Sequence, residues 1–319
     1  MATTKKTSAK KSGPASSIET RERQLPRYTS FKLTKKIPHP KGPIVSSRVI
    51  LHKTIKLILA NKKALLGILV VYVIINMTLV RGFTSPLNIA ELKQRLQDTI
   101  GASPDGITLV GTVFSALLGT SNAANSETAA VYQNILFVLV SLAIIWVFRQ
   151  SAAGKKTTAK GAFYNAFYPL IQFLLVLFVM VLQLAPAFFG LFVYGIVNSG
   201  GLAISGLEQG IWLLFLGLLI TLSLYMICSS IFALYIVTLP DMQPMQALRS
   251  SRQLVFSRRL SVLRKLIILP IAAFLLLIIL VVPAIYFLPL IAPWLYFALT
   301  LASIVFFHAY LFALYRELL

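Results

Sequence analysis

The chain has 319 residues, of which 57% are apolar and only 12% are charged, with a mean hydropathy of +0.81. Soluble globular domains carry about 25% charged residues, so much of this apolar surface must face lipid rather than a buried core. The net charge is +21, and the single cysteine, Cys228, excludes a disulfide framework and a thiolate metal site.

Residues 1–43 form the first predicted segment, a basic, disordered tail on the cytoplasmic side. The tail has too few large apolar side chains to offset the entropy of ordering. Its lysine cluster could attract anionic lipid or an acidic protein partner. No aromatic residue interleaves that cluster before Tyr28, which disfavours nucleic acid as a partner. The cluster comprises Lys5, Lys6, Lys10 and Lys11.

Residues 44–63 predict an amphipathic helix that lies on the cytoplasmic leaflet. Apolar and basic residues fall on separate helical faces, as in helices that rest on a membrane surface. Lys53 and Lys56 are candidate contacts for anionic head groups. The apolar face comprises Ile44, Leu51, Ile55 and Ile58, and the basic face comprises Arg48, His52, Lys56 and Lys63.

Residues 64–319 contain six apolar stretches that can cross a bilayer, which takes about 20 residues each. Pro186 and Pro283 lie inside the third and fifth stretches and are expected to bend them. The stretches contain no Asp, Glu, Lys or Arg, which disfavours an ion-coupled transporter. The predicted fold is therefore an all-α polytopic membrane protein of about six transmembrane helices. They cover residues 64–80, 131–148, 169–196, 211–239, 266–290 and 294–315.

The distribution of basic residues predicts the orientation of these helices. With the amino terminus in the cytoplasm, 27 of the 30 Lys and Arg residues fall on the cytoplasmic side. The three on the outer side are Arg81, Lys93 and Arg95. Because positively charged loops stay inside, both termini are expected in the cytoplasm.

The loop at 81–130 is expected on the outer side and to hold short helices. One is predicted from Asn88 to Ile100. The apolar segment from Ile107 to Gly119 is too short for a regular crossing and is interpreted as re-entrant or interfacial. If it crossed the bilayer, the later basic segments would move outside, against the charge rule.

The cytoplasmic segment at 240–265 predicts a second amphipathic helix. Pro244 suits the first turn of a helix, and Asp241 could help to cap it. If the helix continues through Ser257, several arginines lie toward one side and could bind anionic head groups or an acidic partner. A loop that only obeys the charge rule would look the same. The candidate binding residues are Arg249, Arg252, Arg258 and Arg259.

His308 is the single ionisable side chain inside a predicted span, which makes it a possible intramembrane polar site. It could be a proton or ligand site, or a neutral imidazole bonded to a neighbouring helix. The second interpretation is favoured because no span contains a carboxylate. In the same span, Ala298, Ala302, Ala309 and Ala313 share one face, which favours close helix packing within the monomer over a dimer interface.

Enzyme signatures are missing from the sequence. It contains no zinc-protease, serine-hydrolase or phosphate-loop motif, and its acidic residues are too scattered to suggest a catalytic pair. Three histidines make a histidine metal site improbable. We therefore expect no catalytic residue, no metal and no cofactor.

The segment Ala247-Leu248-Arg249-Ser250-Ser251-Arg252-Gln253-Leu254 resembles a family of bacterial membrane proteins. In that family an A-x-x-S-x-x-L helix precedes an apolar hairpin, and its members include the membrane domain attached to some glycerophosphodiester phosphodiesterases. The similarity covers residues 140–315. The chain departs from the pattern at Phe256-Ser257-Arg258, where the family often has a glycine, and contains no phosphodiesterase domain. The resemblance implies a six-helix module of a bacterial inner membrane.

Two functional hypotheses follow from these patterns. The first is a non-enzymatic, membrane-organising or accessory protein whose basic cytoplasmic face binds anionic lipid or an acidic membrane-protein partner. The alternative is a transporter or permease for an uncharged or lipid-like substrate, with the proline-containing third and fifth spans lining the pathway.

Overall fold

The computed structural model describes residues 45–81, 94, 127–200, 205–256 and 258–319. The predicted tail at 1–43 lies outside these residues. So do the predicted loop helices at 88–100 and 107–119, apart from Gln94, which is helical.

All regular structure in the described residues is helical. The helices are α1 (Ser47–Ala60), α2 (Lys62–Ile75) followed by a π-helical turn (Asn76–Arg81), α3 (Glu127–Ala152), α4 (Ala159–Ala166), α5 (Leu170–Ser199), α6 (Gly206–Ser230), α7 (Ala233–Ile236), α8 (Pro244–Val255), α9 (Arg259–Phe287) and α10 (Ala292–Leu318).

Six helical stretches are long and apolar enough to cross a membrane, which confirms the all-α polytopic fold. They are α2 with its π-helical turn, α3, α5, α6 with α7, α9 and α10. Their ends differ from the prediction where polar residues join a helix. Helix α6 begins at Gly206 rather than 211 because Ser205 and Glu208 form a capping box. Helix α9 begins at Arg259 rather than 266, so about two turns of basic helix precede its apolar run.

Helix α1 differs from the predicted helix at 44–63 in its length and in the face that it buries. It ends at Ala60, and Asn61 separates it from α2. The Asn61 side-chain amide donates to the Leu57 carbonyl at 2.9 Å and to the Ser151 hydroxyl of α3 at 2.8 Å. Ile50 and Thr54 are fully buried, whereas Leu51 and Ile55 of the predicted apolar face are 41% and 46% exposed.

The core is built around α3 and the carboxyl-terminal half of α10. In α3, 56% of the most apolar 18-residue stretch is buried in the bundle, compared with 11% in α5 and in α9, so those two helices present most of their surface to lipid. Helix α3 packs against α2, α4 and α10, and α1 packs against α10. Phe148 of α3 lies 5.9 Å from Phe312 of α10, between ring centroids.

Helices α5 and α6 form a hairpin and approach closely at Gly190. A Cβ atom at Gly190 would lie 3.0 Å and 3.1 Å from the Cδ1 atoms of Leu219 and Leu216, so a larger residue would require these leucines to shift. Pro186 lies inside α5 as expected, and the Ala187 N–H donates to the Ser223 hydroxyl of α6 at 3.1 Å. Helix α9 contains Pro270 in addition to the predicted Pro283.

Candidate functional site

One end of the helical bundle collects the basic residues. Because the six spans alternate in direction, the starts of α2, α5 and α9 lie at the same end as the carboxyl ends of α3 and α10. Among the described residues, every Lys and Arg except Arg81 is at this end or on α1, α4, α8 and the segments that join them. We call it the basic end.

A cleft lies between α1 and α10 at the basic end and has a volume of about 430 Å³. Its polar lining consists of three cations, Lys53, Lys56 and Arg316, and one carboxylate, Glu317. The remaining lining is apolar and comprises Leu57, Ala60, Phe312 and Ala313. We call this site the α1–α10 cleft. It combines a cationic rim with an apolar floor.

The charges of the α1–α10 cleft do not cancel. Lys53 forms an ion pair with Glu317, which joins the two helices. Lys56 and Arg316 are exposed, and no ion pair of either with a described residue is observed. The cleft therefore retains excess positive charge, which suits a phosphate group.

Lys265 is a residue that the sequence prediction missed. It is only 4% exposed, and its ammonium group donates to the Val45 carbonyl, just before α1. The predicted span began one residue later, at 266, so the prediction placed Lys265 in the cytoplasmic segment at 240–265. Its register was the available signal, because Val262 and Leu269 lie on the same helical stripe and are also buried.

The predicted set of arginines at 240–265 is divided. Helix α8 ends at Val255, so Arg259 does not continue its face and belongs to α9. The Arg259 guanidinium donates a hydrogen bond to the Tyr225 hydroxyl and lies 4.8 Å from the centre of that ring and 5.3 Å from the centre of the Phe256 ring. Arg259 is therefore engaged with α6. Arg258 is half-buried and is also engaged by other groups of the protein.

Arg249 and Arg252 are exposed on α8. The opposite face of α8 buries Ala247, Ser251 and Val255, and the Ser251 hydroxyl donates to the Ser229 carbonyl of α6 at 2.7 Å. Helix α8 packs against α5, α6 and α7, whereas Lys53 and Lys56 line the cleft beside α10. The predicted residues therefore form two separate basic patches rather than one.

His308 faces α7 across the core. Its Nδ1 atom lies 3.3 Å from the Tyr235 hydroxyl, and Tyr235 is only 3% exposed. The Tyr235 ring stacks on Tyr315, with 6.1 Å between ring centroids, and lies 6.2 Å from Phe312. The imidazole thus has a partner on a neighbouring helix, which is the arrangement expected of a packing residue.

The alanine face of α10 has two different environments. Ala309 and Ala313 are buried where α10 meets α1 and the core, as expected for packing within the monomer. Ala298 and Ala302 are exposed. The alanine face therefore forms a helix contact only in the carboxyl-terminal half of α10.

The chain matches no protein-family model, and neither the curated proteins nor the solved structures contain a match.

Proposed function

We propose that this protein is a non-enzymatic component of a cell membrane that binds anionic lipid head groups at its basic end. The observation that carries the proposal is the α1–α10 cleft, in which Lys56 and Arg316 stand over an apolar floor. An anionic lipid is complementary to the cleft, because it has a negatively charged head group and an apolar body. The exposed Arg249 and Arg252 on α8 add a second point of attraction.

The energetics support lipid as the ligand of this cleft. A basic residue near an anionic membrane surface contributes about 1 kcal/mol, and salt bridges to phosphate gain from fixed geometry. Helix α1 packs against α10, and the Lys53–Glu317 ion pair bridges them, so the cleft exists without a bound lipid. Preformed sites lose less entropy on binding.

Native mass spectrometry of the full chain tests this proposal in mixed vesicles of phosphatidylglycerol and phosphatidylcholine. The double variant Lys56→Gln/Arg316→Gln removes the two cations that do not pair with Glu317. We expect the preference for bound phosphatidylglycerol to fall by about fivefold for each cation removed.

The matched control is Lys156→Gln/Lys160→Gln, which removes the same charge from exposed positions near and on α4. We expect it to leave the preference close to that of the unmodified chain. Equal losses in both double variants would show that only net charge matters and would overturn the proposal. Recruitment of an acidic protein without lipid preference, or substrate flux in the same vesicles, would also contradict it.

A further inference from the structure

We infer that a groove between α2, α9 and α10 holds one acyl chain of an anionic lipid whose head group binds Lys62. The groove has a volume of about 620 Å³ and is bordered by Leu65–Leu69 of α2, Ala272–Leu276 of α9 and Leu299–Phe306 of α10. We call it the acyl groove. The inference rests on the proposed function and names a second site for the same class of ligand.

Small residues create the acyl groove. Helix α9 contributes Ala272 and Ala273, and α10 contributes Ala302 and Ser303 to the lining. The Ser303 hydroxyl donates to the Leu299 carbonyl at 2.7 Å, so its hydrogen-bonding capacity is met within α10. Water is therefore not needed to hydrogen-bond Ser303, and a hydrocarbon chain in the groove would leave this hydroxyl with its partner.

The acyl groove opens sideways, toward the bilayer. Leu65 and Val305 lie deep in it and are 3% and 5% exposed. Leu66 and Leu276 form its rims and are 65% and 48% exposed. An occupant can thus enter from the hydrocarbon region without crossing a polar barrier.

Its length suits an acyl chain. From Lys62 to Leu69 the groove runs along eight residues of α2, a rise of about 10 Å, which is roughly two thirds of one hydrocarbon leaflet. An extended acyl chain can lie along this length beside the exposed leucines.

The charge at one end of the acyl groove identifies the lipid class. Lys62 is the first residue of α2, is exposed at the basic end and is the charged residue in the lining. Its long apolar stem can lie along the groove while its ammonium group stays at the head-group level. An anionic head at Lys62 places the acyl chain along Leu65 and Leu69.

This site is separate from the α1–α10 cleft. Leu57 lines the cleft and Ile58 lines the acyl groove, so consecutive residues of α1 face different cavities. The cations also differ, because Lys56 and Arg316 belong to the cleft and Lys62 to the groove. Each site can therefore be altered alone.

Photocrosslinking tests the inference on the full chain reconstituted in vesicles. The probe is phosphatidylglycerol with a photoreactive group in the middle of one acyl chain, and the matched probe is phosphatidylcholine. Ala302→Phe fills the floor of the groove. Ala298→Phe adds the same ring one helical turn away on the same face, outside the lining. Lys62→Gln removes the charge and leaves the groove open.

For the unmodified chain we expect crosslinks from the phosphatidylglycerol probe in the peptide containing residues 299–306, and fewer from phosphatidylcholine. Ala302→Phe should reduce them to background, whereas Ala298→Phe should retain them. Lys62→Gln should lower the phosphatidylglycerol signal about fivefold and leave the phosphatidylcholine signal unchanged. The Lys62→Gln result does not depend on whether Ala302→Phe folds.

Two outcomes would overturn the acyl groove: equal labelling by both probes, or no response to Ala302→Phe. If these occur while Lys56→Gln/Arg316→Gln still lowers lipid preference, the groove is wrong and the proposed function stands. If the groove behaves as expected and that double variant has no effect, the cleft is wrong instead.

Discussion

Gly67 is a single position on which the packing of α2 against α4 depends. A Cβ atom built there would lie 2.8 Å from the Ala159 Cβ, which is closer than two methyl groups can approach. Inserting a methyl group into such a packed contact lowers the free energy of unfolding by about 1–3 kcal/mol. The close approach brings α4 against the first span near the basic end.

We predict that Gly67→Ala lowers the melting temperature of the purified protein in detergent. Adding Ala159→Gly removes the methyl group that causes the clash, so the double variant should be more stable than the two separate effects would sum to. Gly210→Ala is the control, because a Cβ there meets no atom within 4 Å. Equal behaviour of Gly67→Ala and Gly210→Ala would refute the clash.

At the same scale, the charged residues can be read from the sequence, but their partners in the folded protein cannot. Lys53 was a candidate lipid contact and is paired with Glu317, a residue 264 positions away. Arg259 was placed with the α8 arginines and instead lies over Tyr225. Side-chain partners that are distant in sequence depend on tertiary packing, and helical periodicity carries no information about them.

Among the elements, α1 shows how an amphipathic pattern can mislead. The sequence pattern predicted one apolar face that includes Leu51 and Ile55. The structure buries Ile50 and Thr54 against the bundle and leaves Ile55 half-exposed. The ion pair of Lys53 with Glu317 joins the middle of α1 to α10, and the bond from Lys265 to the Val45 carbonyl joins the start of α1 to α9.

We predict that Ile50→Ala loosens α1, whereas Ile55→Ala does not, although both changes remove the same atoms. Truncation of a fully buried isoleucine costs about 2–5 kcal/mol, so hydrogen exchange of the α1 amides should accelerate by a factor of roughly 30 or more. Exchange mass spectrometry on the protein in lipid nanodiscs measures this. Similar acceleration in both variants would show that α1 is held by lipid rather than by α10.

For the whole molecule, the position of the basic end relative to the membrane decides what the cleft and groove can meet. The charge rule predicts that it faces the cytoplasm. Cys228 is the only native cysteine and is 1% exposed, so new cysteines can report topology with little background. Leu290, at the opposite end, is 86% exposed.

We predict that a membrane-impermeant maleimide labels Leu290→Cys in intact cells. Lys155→Cys and Arg249→Cys should be labelled only after permeabilisation, because both lie at the basic end. Labelling of Arg249→Cys from outside would reverse the orientation. Labelling of Lys155→Cys and Arg249→Cys from different sides would contradict the six-span arrangement.

The six spans and their helical class could be predicted because each apolar run is long enough to cross a bilayer as a helix. The start of α9 could not, since hydropathy falls at Arg259–Lys265 although the helix continues. The acyl groove was also out of reach. It depends on how Ala272 of α9 and Ala302 of α10 are placed beside α2, which no local pattern encodes.

The docking of α1 on α10 also sets an order of assembly during synthesis. A ribosome adds about 5–20 residues per second, so roughly 13–50 seconds separate the appearance of Lys53 from that of its partner Glu317. During this interval the face of α1 that carries Ile50 has no helix to cover it. The first described helix therefore reaches its final place only after the last one has been made.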